Sequence, residues 1–240
     1  MRATALTAYL PQLNLADVRA GLRSRPAPLL LLAAALAADL FFVGLHVVQS
    51  ATGSLSENAY VYQDGGYAEW FQYLKYASVL AMTLALFARS GNAAYITLAV
   101  VAAFLLVDDS LMLHEHAGDE IGAALPFDSL GGLRAEDFGE LAVYAAVGTV
   151  FLGAAVIGHL RQDPEGKRFL LGFYVIVAAL AFFAVGMDMA RIIGEDALPG
   201  LGLIEDSGEM FVTSVLAAFV FYELLSATRP SAASGPTAPD

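Results

Sequence analysis

The stretch "FLLVDDSLMLHEHAGDE" (Phe104–Glu120) starts as hydrocarbon and ends as a cluster of acids and histidines. Its first half continues an apolar run from residue 92 that is long enough to enter a bilayer as a helix. Asp108 and Asp109 then stand near the end of that run, where removing charge from water still carries a cost. A chain that accepts this is reading as a polytopic membrane protein with something to compensate its buried acids.

The rest of the sequence supports the membrane reading. It has 240 residues, 58% of them apolar, with a mean hydropathy of +0.64; soluble domains have roughly 45–50% apolar residues. Six apolar runs predict an all-α bundle of six transmembrane helices at about 27–49, 68–88, 92–114, 137–160, 169–193 and 205–226. Each approaches the ~20 residues that cross a bilayer. Turn chemistry separates them: "RSGN" at 89–92, "RQDPEGKR" at 161–168 and "LPGLG" at 198–202. The expected organisation is an N-terminal arm (1–26), a membrane domain (27–226) and a disordered tail (227–240) poor in bulky apolar residues. "ALA" at 35–37 resembles a signal-peptide cleavage site, but the apolar run continues past it and favours an uncleaved first helix.

Charge sets the orientation and excludes some functions. The arm, the 89–92 turn, the 161–168 loop and Arg229 hold nine of the twelve Lys and Arg residues. All four lie on one side of a six-span path, so both termini are expected in the cytoplasm, with the chain in the plasma (bacterial inner) membrane. The net charge of −12 argues against a nucleic-acid partner. The absence of cysteine removes thiolate metal ligands, disulfides and cysteine nucleophiles. The lipid bilayer is the implied partner, with a small molecule or a lipid as the candidate substrate.

The acids gather opposite the bases. Eighteen of the twenty-four carboxylates fall on the non-cytoplasmic side or in the helix ends that reach it, against Lys75, Arg134 and Arg191. Two helices open alike, with "EDFGE" at 136–140 and "EDSGE" at 205–209. Residues four apart lie about 40° from one another on a helix, so Glu136 and Glu140 share a face, as do Glu205 and Glu209. Asp137 and Asp206 sit at the edge of those faces. The odd-numbered helices carry acids and histidines seven apart, namely Asp39 and His46, Asp108 and Glu115, Asp109 and His116, Asp188 and Glu195, which suggests three helical-hairpin repeats. First-turn acids also complement the helix dipole, an alternative for Glu136, Asp137, Glu205 and Asp206. That alternative does not reach Asp108, Asp109 or Asp188, which lie toward C-terminal ends.

Ion pairing, protonation or a bound cation could each compensate these groups. The candidate metal ligands are Asp108, Asp109, His114, Glu115, Glu136, Glu140, Asp188, Glu205, Asp206 and Glu209. Carboxylate with imidazole suits Zn, Fe or Mn, and carboxylate alone suits Ca. On a continuous third helix Asp108, Met112, Glu115 and Asp119 share a stripe, and His114 points elsewhere unless the helix unwinds near Gly118. Asp39, nearest the membrane middle, is a candidate proton carrier or hydrogen-bond partner.

The run V-D-D-S-L-M-L-H-E (107–115) resembles the L-D-E-x-x-x-L-H-E motif of uncharacterised bacterial multi-pass membrane proteins, and E-D-S-G-E-M (205–210) is similar to a later helix start in that group. The resemblance marks Asp108, Asp109, His114, Glu115, Glu205, Asp206 and Glu209 as a shared site without naming a reaction. Asp109 and Asp206 are one methylene shorter than the Glu of that pattern. The expected function is an extracytoplasmic divalent-cation site, with a metal-dependent membrane enzyme as one form of it. A proton- or cation-coupled transporter and a non-catalytic assembly protein are the alternatives.

Overall fold

The computed structural model describes residues 26–162, 164–194 and 200–227. Expectations placed on the N-terminal arm, Glu195, Asp196 and the tail beyond residue 227 lie outside the described residues.

The described chain is almost wholly helical. Helices α1 (Pro26–Thr52), α2 (Tyr67–Ser90) and α3 (Ala93–Leu111) are followed by a short α4 (Leu113–Ala123). A two-stranded hairpin, β1 (Ser129–Leu130) and β2 (Leu133–Arg134), leads into α5 (Ala135–Leu160). Helix α6 (Pro164–Ala181) continues through a π-helical segment (Phe182–Met187) into α7 (Asp188–Gly194), and α8 (Leu201–Ala227) closes the bundle. Six of these pieces are long and apolar enough to cross a membrane: α1, α2, α3, α5, the composite 166–194 and α8.

Local sequence sets the joints. The α2–α3 reversal takes two residues. Gly91 adopts φ 64° and ends α2, and the Asn92 side chain accepts the Ala94 N–H at 2.9 Å to start α3. The β-hairpin turns on Gly131 (φ 65°) and Gly132 (φ 92°), a pair of left-handed residues suited to a two-residue turn, with Leu130 opposite Leu133.

Helices α2, α3, α6 and α8 share the main apolar core, in which Val79, Leu86, Leu98, Phe173, Leu216 and Val220 are buried. Helix α1 inverts the pattern of a soluble helix. Leu30, Leu40 and Phe41 are exposed, whereas Asp39, His46 and Gln49 are buried. Such an arrangement suits a hydrocarbon surround, where lipid covers the apolar face and polar groups turn inward.

Asp39 is fully enclosed and pairs with Lys75 of α2 at 2.8 Å. The ammonium also donates to the Met210 carbonyl at 2.8 Å and to Ser214 Oγ at 3.3 Å, while Ser214 donates to the second Asp39 oxygen at 2.6 Å. One closed network therefore joins α1, α2 and α8. Further along α1, His46 Nδ1 accepts the Val61 N–H and Gln49 Oε1 accepts the Leu55 N–H, fixing the connection to α2.

Three expectations are corrected here. Helix α1 lies chiefly along α8 and touches α2 little, so the first pair of spans is not a packed hairpin repeat. The third span stops at Leu111 instead of running to 114. Met112 turns left-handed (φ 49°, ψ 45°) and α4 starts in a new direction, so the break falls six residues before Gly118. The last span begins at Leu201 rather than 205, which takes Glu205 and Asp206 out of its first turn and away from any dipole-complementing role.

Gly118 instead belongs to a helix–helix seam. Helix α4 carries "GDEIG" (118–122), a small-x-x-x-small spacing that lets backbones approach. Its Gly118 meets Gly139 of α5 backbone to backbone, and a Cβ on Gly122 would stand 2.7 Å from the Glu136 nitrogen.

Lys75→Met should destabilise the protein by about 3–5 kcal/mol, because Asp39 is left buried without its counter-ion. The double variant Asp39→Leu/Lys75→Met should recover most of that loss, read as unfolding midpoints in detergent. Gly139→Ala should cost about 1–3 kcal/mol by forcing α4 and α5 apart, and Gly153→Ala, where a Cβ meets nothing, should cost nothing in the same measurement.

Candidate functional site

One cavity of about 1380 Å³ runs from the acidic end of the bundle into the space between α3, α5 and the fifth span. All ten residues expected as ligands line it, and so do Asp64, Glu69 and Asp119. Twelve carboxyl side chains and two arginines face this space. The convergence anticipated from the sequence is therefore present in the lining, although its internal arrangement differs from a metal centre.

Asp108 is almost fully buried, and the break at Met112 explains how it is compensated. Turning the chain there brings the start of α4 back over the end of α3. Asp108 Oδ1 accepts the His114 N–H at 3.0 Å, and Oδ2 lies 3.1 Å from His114 Nδ1. The carboxylate thus caps α4 and orients an imidazole at once. His114 Nε2 is 3.9 Å from Glu115, and the ring rests against Tyr144. Burial alone would push the His114 pKa down. The hydrogen bond and charge of Asp108, with Glu115 and Glu140 adding to them, hold it above the ordinary imidazole value.

Both arginines are engaged. Arg191 reaches Glu205 at 2.9 Å through Nε and pairs with Asp188 through Nη2. Arg134 pairs with Glu136 and holds Asp137 at 2.7 Å, while its own N–H is accepted by Asp137 at 2.6 Å. Glu136 and Asp137 therefore serve the start of α5, as the dipole alternative anticipated for this helix.

The remaining acids lack such partners. Among the described residues no Lys or Arg lies within ion-pair distance of Asp109, Glu140, Asp206 or Glu209. The Asp206 Oδ2 atom is buried without a hydrogen-bond partner, and so is Oε1 of Gln72. Gln72 is 5% exposed and lines the cavity one turn after Glu69; its amide nitrogen donates to Tyr76 and Thr213. The π-helical segment serves the same wall, setting Phe183 directly against Gly208, where no side chain would fit.

No group of three or more His, Asp or Glu side chains among the described residues is placed to hold a metal ion. The expected ligands are distributed along the wall, several of them already paired. Asp39 is not on this wall; it is enclosed within the bundle in its network with Lys75 and Ser214. Sequence reasoning noted Gln72 beside Glu69 but placed neither Gln72 nor Tyr144 among the site residues. Gln72 sits on the same helical face as Glu69 and Tyr76, and that spacing was the available signal.

These features define a class: an all-helical protein with six helices long and apolar enough to cross a membrane, and an acid-lined cavity opening at one end of the bundle. The chain belongs to the family described as a domain of unknown function (DUF8692), whose model matches residues 28–223. No curated protein and no solved structure matches it.

Asp108→Asn should lower the His114 pKa, measured by NMR of histidine-labelled protein. The sign for stability follows from that shift. A raised folded-state pKa gives a contribution that is complete below about 6.5, the unfolded value, and lost as pH rises through the folded value. In Asp108→Asn this pH-dependent part of the stability should shrink.

Proposed function

We propose that this is an integral membrane protein that binds a positively charged ligand in the acid-lined mouth of its cavity. The mouth faces the non-cytoplasmic side, because Arg89, Arg161, Lys167 and Arg168 lie at the opposite end of the bundle and positive residues favour the cytoplasm. The observation that carries the reading is the charge imbalance of one wall: twelve carboxyl groups against two arginines, both already paired. Buried acids without counter-ions must either hold a proton or meet a ligand that supplies the charge. A cation entering the mouth gains from several of them together, and low-dielectric walls strengthen the attraction.

A chelated divalent metal is the form anticipated from the sequence. The spread of the acids along the wall favours a larger cation that touches several of them over an ion held by three or four at close range.

The test is titration of the purified full chain in detergent with ethylammonium, spermidine, Ca²⁺, Mn²⁺ and Zn²⁺, followed by calorimetry. An organic cation should bind, with affinity at least tenfold lower in Asp206→Asn/Glu209→Gln. Stoichiometric metal that survives purification, with no organic cation binding, would restore the metal centre. Absence of any cation binding would overturn the proposal.

A further inference from the structure

The acidic mouth accounts for only part of the cavity. Its other half is hydrocarbon, bounded by Phe104 of α3, Val147 and Phe151 of α5, and Phe173, Val177 and Ala181 of α6. Phe104 and Phe151 meet edge to face at 5.5 Å and close one side of it. Small-molecule pockets usually have about 300–1,000 Å³, and 1380 Å³ exceeds that range. A small inorganic ion would leave this apolar half unfilled.

Two observations constrain the head group. Gln72 Oε1 and Asp206 Oδ2 are buried acceptors with no donor, and both residues line the cavity. They call for N–H or O–H groups. A primary ammonium supplies three donors with its charge, whereas a quaternary ammonium supplies charge and no donor. A phosphate beside the ammonium would place a second anion among carboxylates that have no spare arginine.

The wall on the α5 side constrains the tail. None of the residues in the most apolar stretch of α5 is buried within the bundle. Gly148 of this helix lines the cavity, and a Cβ there would meet nothing within 4 Å. The space beside it is open to a chain.

We propose that the cavity holds a primary alkylamine, with its ammonium among Asp109, Asp206, Glu209 and Gln72 and its chain between α3, α5 and α6. This assignment rests on the cation-binding reading and adds the apolar half to it. Gln72 is then a binding residue, which no acid-based reading assigns.

The experiment uses the full chain in detergent with tritiated dodecylamine and a panel of unlabelled competitors. Dodecanol and dodecyltrimethylammonium match its chain length and so resemble it in partition into the micelle. Saturable binding of one dodecylamine per chain is expected. Dodecyltrimethylammonium, dodecanol and ethylamine should each compete at least tenfold more weakly than unlabelled dodecylamine. Phosphatidylethanolamine added to the micelles should not compete, which separates a free amine from a lipid head group. Gly148→Phe should weaken dodecylamine binding at least tenfold with an unchanged unfolding midpoint of the unliganded protein, since the ring enters empty space. Gln72→Leu should weaken dodecylamine while sparing dodecyltrimethylammonium. If ethylamine competes as well as dodecylamine and Gly148→Phe has no effect, the alkyl assignment falls and the cation site stands. If no amine binds, the alkylamine assignment falls, and the cation reading falls with it when Ca²⁺, Mn²⁺ and Zn²⁺ also fail to bind. Competition by phosphatidylethanolamine at equal strength overturns the single-chain amine.

Discussion

The bundle depends on a charge pair placed where charge is least welcome. Asp39 and Lys75 lie midway along their helices, and each would cost several kcal/mol to bury alone. Together with Ser214 and the Met210 carbonyl they give the ammonium three acceptors and each carboxylate oxygen a donor, so the price of desolvation is met locally and by specific neighbours. The geometry fixes α1 against α8 and α2 in one register, because a slip of one residue would strand both charges. Apolar packing, which is non-directional, cannot supply that selectivity. The α8 members of the network, Ser214 and the Met210 carbonyl, draw the first helix to the last one as well as to its neighbour in sequence.

With three helices fixed, the rest of the molecule divides into a dense half and an open half. Helices α2, α3, α6 and α8 enclose the apolar core, and α5 leans on the assembly mainly through α4. The cavity is the space that results. Its acidic mouth arises from the ends of α3, α5 and α8 and from α7, each contributing carboxyl groups to one volume. Two arginines and His114 organise part of this wall; Asp109, Glu140, Asp206 and Glu209 have no Lys or Arg within ion-pair distance among the described residues and carry the functional argument.

Much of this was legible in the sequence, for identifiable reasons. The six long apolar helices follow from runs of about twenty apolar residues, the length a bilayer crossing needs. The convergence of Asp108, Glu140, Asp188 and Glu209 on one space followed from their placement at one end of antiparallel helices. The direction change at Met112 did not, because methionine is no turn residue and its left-handed conformation costs roughly 1–2 kcal/mol. Tertiary contacts impose it: the Asp108 carboxylate binds the next helix, and the glycine seam draws α4 onto α5. The early start of α8 was hidden by "PGLG", which reads as a turn although Gly202 lies within the helix. Pairwise geometry of acids was also hidden, since period and spacing give a face and say nothing about which arginine answers which carboxylate.

The meeting of Gly118 with Gly139 has a consequence for tracing distant relatives of this chain. Two main chains in direct contact leave no room for compensation, because a methyl on either side cannot be offset by trimming the other below glycine. The constraint is thus joint and one-sided: a lineage that preserves this crossing can vary nearly everything around it, yet neither of the two positions can grow. A pair of glycines twenty-one residues apart, one ahead of a tight reversal and one behind it, is accordingly a marker of common architecture that rests on backbone contact alone.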